Sequence, residues 1–180
     1  MTQGFDATRA GFGFEKPVEG QTNDWITPKE LINILGIFDL DPCESDNQPW
    51  FCGKAGYRLG RGEDGLKLPW EGRVYCNPPY GAHIIHWAKR MREHGNGILL
   101  IFSRTETEAW RTVWQADAVL FPYGRISFYL PSGQKAKSGT APSALLAYGQ
   151  ANVECLRTCG LAGTFITGHV ILDGKKASSL

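Results

Sequence analysis

The chain has 180 residues, of which 42% are hydrophobic and 21% charged, and its formal net charge is +1. These values are ordinary for one globular domain with a sizeable core, and they exclude a disordered chain or a protein whose net charge alone attracts nucleic acid. No apolar run approaches the roughly 20 residues that a membrane-spanning helix requires, so we expect no membrane span.

Residues 1–22 are predicted to form an irregular N-terminal arm. They are rich in glycine, threonine, glutamine and glutamate, with Phe5, Phe12 and Phe14 interleaved. We expect these phenylalanines to dock the arm on the core, and contact with DNA is the alternative. The folded domain is then expected to span residues 23–180.

A short helix is predicted from about residue 28 to residue 35. Thr27 followed three residues later by Glu30 has the pattern of a capping box, with Pro28 at the first helical position. Gly36 marks the predicted end of the helix. Three aliphatic residues at helical spacing give the helix an apolar face: Leu31, Ile34 and Leu35.

The stretch from Phe38 to Leu40 predicts a strand that ends at Asp41 and Pro42. A carboxylate at a strand end accepts hydrogen bonds from a ligand or attracts its cationic part, unless Asp41 is only a solvated acid. Residues 45–65 follow with five glycines and no clear helix or strand. A loop of that length is expected to be functional or mobile.

The short apolar run Val74–Cys76 ends in Asn77, Pro78, Pro79 and Tyr80. Two consecutive prolines donate no backbone N–H and fix φ near –65°, so neither a strand nor a helix continues. The loop is therefore rigid and holds its asparagine and tyrosine in a fixed relation. The carboxyl edge of an α/β sheet, where this strand ends, is the place where ligands usually bind.

This loop suits the methylation of an exocyclic amine on a base. The lone pair of such an amine is delocalised into the ring, so the amine is a poor nucleophile. The side-chain oxygen of Asn77 and the carbonyl of Pro78 can accept the amine protons and aim the lone pair at an electrophilic methyl. The Tyr80 ring can stack on the flat base. The alternative is a proline-rich strand exit with a capping asparagine.

The rest of the chain alternates helices and strands, which predicts an α/β fold. Apolar residues at helical spacing from Ile84 to Met91 indicate an amphipathic helix. The continuous apolar run of residues 97–102 is typical of a parallel strand covered on both faces. Further helices are predicted around Trp110 and over residues 150–160, and further strands over residues 118–121, 125–129, 143–148 and 169–172.

A mild basic surface is predicted late in the chain. No acidic residue occurs between Asp117 and Glu154, while Arg125, Lys135 and Lys137 lie there. Such a segment favours a phosphate-facing region, although chance is an equal explanation.

The five cysteines form no CxxC pair. Their number is odd, and no histidine or cysteine lies at metal-site spacing, so we expect reduced thiols and no metal. No secretory signal is visible at the N-terminus, so we expect a cytoplasmic protein.

The motifs occur in one order along the chain: Asp24 to Pro28, Asp41-Pro42, Asp64-Gly65-Leu66, and Asn77 to Tyr80. This set resembles the S-adenosylmethionine-dependent amino methyltransferases of DNA, and in particular the small phage-encoded DNA N6-adenine methyltransferases of the Dam type. The likeness covers about residues 22–170 and includes Gly124–Phe128 and Ala141–Ser143. For a phage-encoded enzyme the location would be the host cytoplasm.

The resemblance implies a Rossmann-like methyltransferase sheet, mostly parallel with an antiparallel end. The gap between Asp41 and Asn77 is short for that fold, so one βα unit is expected to be missing or reduced to a loop. The glycines that usually follow the first acid are replaced by Cys43, Glu44 and Ser45. Glu44 is then the candidate for the acid that binds the cofactor ribose.

The resemblance also assigns site residues. S-adenosylmethionine is expected to contact nine residues: Trp25, Thr27, Pro28, Asp41, Pro42, Cys43, Asp64, Leu66 and Asn77. The target base is expected to contact Asn77, Pro78, Pro79 and Tyr80. Four basic residues are candidates for contact with phosphate or bases: Arg104, Arg125, Lys135 and Lys137.

The implied reaction is methyl transfer from S-adenosylmethionine to the N6 amine of adenine in double-stranded DNA, with the base flipped out of the stack. Two alternatives stay open. The acceptor could be another planar NH₂, on cytosine N4, an RNA base or a protein glutamine. The protein could also be a non-catalytic nucleic-acid-binding module, because the usual glycines are missing. A chain of this size has little room for a recognition domain, so a short or relaxed recognition sequence is expected. The sequence does not predict an oligomeric state.

Overall fold

The computed structural model describes residues 25–81, 83–136 and 141–168. Its four α-helices are α1 (Lys29–Leu35), α2 (Ile84–His94), α3 (Glu108–Val113) and α4 (Gln150–Thr158). Its seven strands form one sheet: β1 (Leu40–Asp41), β2 (Ala55–Gly56), β3 (Val74–Cys76), β4 (Gly97–Phe102), β5 (Ala118–Pro122), β6 (Ser143–Tyr148) and β7 (Gly163–Thr167). None of the described helices combines the length and the apolar character that crossing a bilayer requires.

The strand order in the sheet is β2-β1-β3-β4-β6-β5-β7. The first four strands in this order pair in parallel, whereas β6 is antiparallel to both β4 and β5, and β7 is antiparallel to β5. All strands except β6 and β7 therefore run in one direction. The predicted Rossmann-like sheet, mostly parallel with an antiparallel end, is confirmed.

The connections around β2 are loops instead of helices. Residues 42–54 join β1 to β2, and residues 57–73 join β2 to β3, with one turn of 3₁₀ helix at Leu59–Arg61. Parallel neighbours usually need a helical crossover. The short spacing between Asp41 and Asn77 therefore corresponds to a βα unit reduced to a loop, as the sequence predicts.

Helices cover both faces of the sheet. On one face, α1 and α4 pack against side chains such as Tyr75, Ile98 and Leu145. On the other face, α2 and α3 pack against Val74, Leu99 and their neighbours. Successive strand residues alternate between the two cores, and β3 and β4 are buried along nearly their whole length.

Several local predictions are wrong. The capping box is not formed, because the Thr27 hydroxyl bonds to the Tyr75 hydroxyl and Pro28, not Thr27, is the N-cap residue. Ile34 is exposed, and Ile32 is buried in its place. Residues 125–129 do not form a strand; only Tyr129 makes isolated bridges there, to Ile26 and Lys135.

The C-terminal end of the sheet differs from the prediction. Strand β7 is missing from the sequence-based prediction, which placed the last strand at residues 169–172. That predicted strand and the N-terminal arm lie outside the described residues. The boundary between arm and domain therefore stays a prediction.

Candidate active site

The order of the strands creates a switch point between β1 and β3. From β1 the chain moves outward to β2, and from β3 it moves outward to β4 on the other side. Ligands of open α/β sheets bind outside the carboxyl ends of the strands at such a point. Asp41 is the last residue of β1, and Asn77 directly follows β3.

A cleft lies at this point. It encloses about 380 Å³ of empty space, part of it open to solvent. Twelve residues line it: Trp25, Ile26, Thr27, Asp41, Cys43, Ser45, Gln48, Cys52, Asn77, Pro78, Pro79 and Tyr80. The cleft thus brings together residues from the segment before α1, from β1, from the long loop 45–65 and from the loop Asn77–Tyr80.

The Asn77 amide is held in one orientation. Its Nδ2 donates to the backbone carbonyl of Trp25 at 2.5 Å, and its Oδ1 accepts from the Tyr80 hydroxyl at 3.2 Å. An amide oxygen has two lone pairs, so one remains for another donor. Pro78 is buried and Pro79 is exposed. Their rings fix the φ angles of the backbone that carries the Asn77 and Tyr80 side chains.

The Tyr80 ring stacks on Phe102, with centroids 3.8 Å apart and planes 12° from parallel. Phe102 meets Phe128 edge-on at 6.2 Å, and Phe128 meets Trp25 at 6.3 Å. One face of Tyr80 is therefore covered by the protein itself. A base could stack on the other face of Tyr80, or on this face if Phe102 moved away. Stacking of Tyr80 on a base stays a prediction.

Asp41 is a buried acid on the cleft wall, with 4% of its surface exposed. Its Oδ1 accepts from the Cys43 amide at 3.1 Å, and no described lysine, arginine or histidine forms an ion pair with it. Burial raises the pKa of Asp41 to about 7, outweighing the hydrogen bond from Cys43, which lowers it. A cationic ligand in the cleft would relieve this cost.

Thr27 lines the cleft but is held from both sides. Its hydroxyl lies 2.8 Å from the Tyr75 hydroxyl, and its carbonyl accepts from the Trp50 indole at 2.8 Å. These bonds fix the segment that precedes α1 against the sheet and against the long loop. Trp50 therefore holds that loop in place, whereas the neighbouring Phe51 is 70% exposed.

Two thiols meet beneath the cleft. The sulfur atoms of Cys43 and Cys76 lie 3.6 Å apart, and both cysteines are free. Burial raises the pKa of each thiol. Both side chains are therefore neutral, and Asp41 is the group on this wall that changes its charge near neutral pH.

The remaining predicted cofactor residues do not line the cleft. Asp64 accepts from the Leu66 amide and forms an exposed ion pair with Lys67 at 2.9 Å, which holds its pKa below the usual value. Gly65 packs so tightly on Pro42 that an added Cβ would lie 1.8 Å from the Pro42 carbonyl oxygen. Gly65 thus brings this segment close to the residue that follows β1. The cofactor contacts of Asp64, Leu66, Pro28 and Pro42 stay predictions.

Glu44 is engaged elsewhere. Its carboxylate pairs with Arg58 at 2.7 Å; the Glu44 side chain is buried and the Arg58 side chain is partly exposed. An added Cβ on Gly56 would lie 1.9 Å from the Glu44 carboxylate, so this acid faces β2. Glu44 is not among the residues that line the cleft.

The predicted DNA-contact residues lie around the same edge where the structure describes them. Arg104 follows the end of β4, and Arg125 follows the end of β5. The backbone of Lys135 bridges to Tyr129, which in turn bridges to Ile26. Lys137 lies outside the described residues. The phosphate contacts of all four residues stay predictions.

Sequence analysis missed several residues of the site. Ile26, Ser45, Gln48 and Cys52 line the cleft, and Phe102 covers Tyr80. Phe102 had a signal in the sequence, because it ends an apolar strand at the edge where ligands bind. The described residues contain no group of three histidine, cysteine, aspartate or glutamate side chains that could hold a metal ion.

A family model described as "DNA N-6-adenine-methyltransferase (Dam)" matches residues 16–154 of the chain. A search of curated proteins and a search of solved structures give no match. The matched span covers well over half of the chain and includes β1, the cleft and the Asn77–Tyr80 corner. The chain therefore belongs to the family of DNA N6-adenine methyltransferases.

Proposed function

We propose that the protein transfers a methyl group from S-adenosylmethionine to the N6 amine of an adenine that is flipped out of double-stranded DNA. The observation that carries this proposal is the meeting of Asp41 and Asn77 in one cleft at the switch point of the sheet. Family membership supports the adenine acceptor. The identity of the methyl donor, the flipping of the base and the roles of the individual residues are proposed.

The cleft residues fit the donor. S-adenosylmethionine supplies an electrophilic methyl group on a positively charged sulfur and also carries an ammonium group. Asp41 is a buried acid without a described cationic partner, and a bound cation favours its ionised form. Trp25, Thr27, Cys43 and Asn77 would hold the donor from the same cleft.

The proline corner would position the acceptor. The free lone pair on Asn77 Oδ1 and the Pro78 carbonyl would accept the two amine protons, which turns the nitrogen lone pair toward the methyl group. Positioning of this kind supplies most of the rate in a displacement without covalent help from the protein. The product loses a proton to water, so no general base is assigned. Unstacking costs a few kcal/mol, and contact with Tyr80 offsets part of it.

The test is incubation of duplex DNA with labelled S-adenosylmethionine, followed by digestion to nucleosides and mass analysis. We expect label on N6-methyladenine. Label on cytosine, or label on RNA or protein with none on DNA, would replace the proposed acceptor. A titration with S-adenosylhomocysteine tests the donor separately, because a ligand that binds the folded state raises the melting temperature by mass action. Absence of any shift would favour a non-catalytic binding module.

The recognition sequence is proposed to be short or relaxed. The described residues form one sheet with its covering helices, and all of the named elements belong to it. Methylation-sensitive sequencing of DNA from an expressing host measures the sequence directly. A long and strict consensus would contradict this part of the proposal.

A further inference from the structure

Gln48 lines the same cleft as Asp41 and belongs to the loop between β1 and β2. Its backbone N–H donates to the Ser45 carbonyl at 3.3 Å, and its side-chain Oε1 accepts from the Ser45 amide at 3.3 Å. These two bonds close residues 45–48 into a turn. Because Oε1 is occupied, the amide directs its Nε2 group the other way, to the Cys52 sulfur at 3.5 Å.

The Gln48 amide also reaches Asp41. An amide nitrogen carries two N–H donors, so one remains beside the donor that faces Cys52. A side-chain hydrogen bond from Gln48 lowers the pKa of Asp41 and thereby opposes burial, which is the largest influence and raises it. The amide therefore stabilises the ionised form of the acid without adding a positive charge next to it.

The loop that carries Gln48 is held against β1 and against the segment before α1. Gly53 packs so closely on β1 that an added Cβ would lie 2.8 Å from the Asp41 amide nitrogen. The Trp50 indole donates to the Thr27 carbonyl at 2.8 Å. Gln48 is therefore carried on a segment with a fixed position beside Asp41.

We infer that Gln48 is a positioning residue, whose amide holds the Asp41 carboxylate in place for the cationic methyl donor; this inference rests on the proposed function. A neutral amide suits this role. A lysine or arginine in its place would neutralise Asp41 and compete with the positive charges of the ligand. The amide stabilises the carboxylate and leaves its negative charge to the ligand.

Other ionisable groups approach Asp41 from β3 and from the loop after β1. The Glu44 carboxylate raises the pKa of Asp41 and is itself paired with Arg58. Burial raises the pKa of the thiols and the phenol around Asp41, so that these are neutral between pH 6 and pH 8: Cys43, Cys52, Tyr75 and Cys76. A change in ligand affinity over this range therefore reports the ionisation of Asp41.

The experiment measures the affinity for S-adenosylhomocysteine by calorimetric titration at pH 6 and pH 8. Gln48→Met keeps a side chain of similar length but removes the amide, so Asp41 loses one donor and ionises less readily. We expect binding about tenfold weaker than wild type at pH 6 and about twofold weaker at pH 8, because the higher pH restores the ionised acid. Gln115→Met, at an exposed position after α3, is the matched control and should bind like wild type at both pH values.

The pH dependence separates positioning from a structural role. Gln48→Met also removes the acceptor of the Ser45 amide, but a loss from that cause would be equal at both pH values. Equal losses at pH 6 and pH 8, or no loss at either, would therefore overturn the inference.

The Asp41→Asn background supplies a second check. There, Gln48→Met should weaken binding by the same factor at both pH values, since no acid is left to titrate. A loss confined to pH 6 in that background would contradict the inference. A wild-type protein that binds no S-adenosylhomocysteine would instead remove the proposed donor, and this inference with it.

Discussion

The two halves of the sheet are built differently. Strands β1, β2 and β3 have two, two and three residues, whereas β4 and β6 have six each and pair along their full length. Every side chain of β6 is buried, whereas the short strands are followed after two or three residues by polar loops. The cleft lies entirely on the side of the short strands.

This difference separates the strands that form the buried core from the strands that lead to the proposed binding site. The long ladders bury mainly apolar side chains on both faces of the sheet. Short strands end early, so that Asp41, Asn77 and the long loop reach one edge with their polar groups directed into a cleft. Side-chain bonds replace the missing ladder there, such as Arg58 to Glu44 and Trp50 to Thr27.

The largest expected effect is on activity in the short-strand half. Asn77→Ala removes the proposed amine acceptor, so methyl transfer should fall by about 100-fold or more, as for other fixed polar groups at a reacting atom. The melting temperature should fall only modestly, because two side-chain hydrogen bonds are lost, one to the Trp25 carbonyl and one from the Tyr80 hydroxyl. Asn33→Ala on the exposed face of α1 is the matched control. Full methylation by Asn77→Ala would show that the corner does not hold the acceptor.

The largest effect on stability is expected in the long-strand half. Leu146→Ala opens a cavity at a fully buried position of β6 and should lower the free energy of unfolding by about 2–5 kcal/mol. Urea unfolding measures this loss. Leu59→Ala, at a position that is 76% exposed, should cost about 0.5 kcal/mol or less. Equal losses at the two leucines would contradict the division between the halves.

Variants of the Arg58–Glu44 pair test whether this ion pair stabilises the region of β2, where the strand has only two residues to form backbone hydrogen bonds. Arg58→Ala leaves Glu44 buried without its partner, which should cost about 3 kcal/mol in urea unfolding. The double variant Arg58→Met, Glu44→Gln removes both charges and should recover much of that loss. A double variant that is less stable than Arg58→Ala would show that the pair itself, and not the orphaned charge, sets the stability.

The smallest effect concerns pH. Because the pKa of Asp41 is raised to about 7, the acid is mostly neutral at pH 6 and mostly ionised at pH 8. The ammonium of S-adenosylhomocysteine stays positive in this range, so its affinity should rise about tenfold from pH 6 to pH 8. Calorimetric titration measures this rise, and Asp41→Asn should flatten it. An affinity that falls with pH in the wild type would exclude Asp41 as the cation's partner.

Local chemistry explains why much of the architecture was predictable. The continuous apolar run Gly97–Phe102 favours a strand that is covered on both faces, and two prolines prevent the strand Val74–Cys76 from continuing. The short gap between Asp41 and Asn77 likewise predicted a loop in place of a helix. The capping box does not form because the Thr27 hydroxyl bonds instead to the hydroxyl of Tyr75, which is 48 residues away in sequence.

The sequence by itself determined the proline corner, the strand-end acid and the α/β alternation, because each depends on backbone restriction or on the period of apolar residues. Only the tertiary structure decided that Phe102 covers Tyr80, that Arg58 neutralises Glu44 and that Gln48 and Cys52 reach the cleft. These contacts join residues that are far apart in the chain or come from a loop without a period. Their partners are set by the packing of the whole sheet, which no local pattern records.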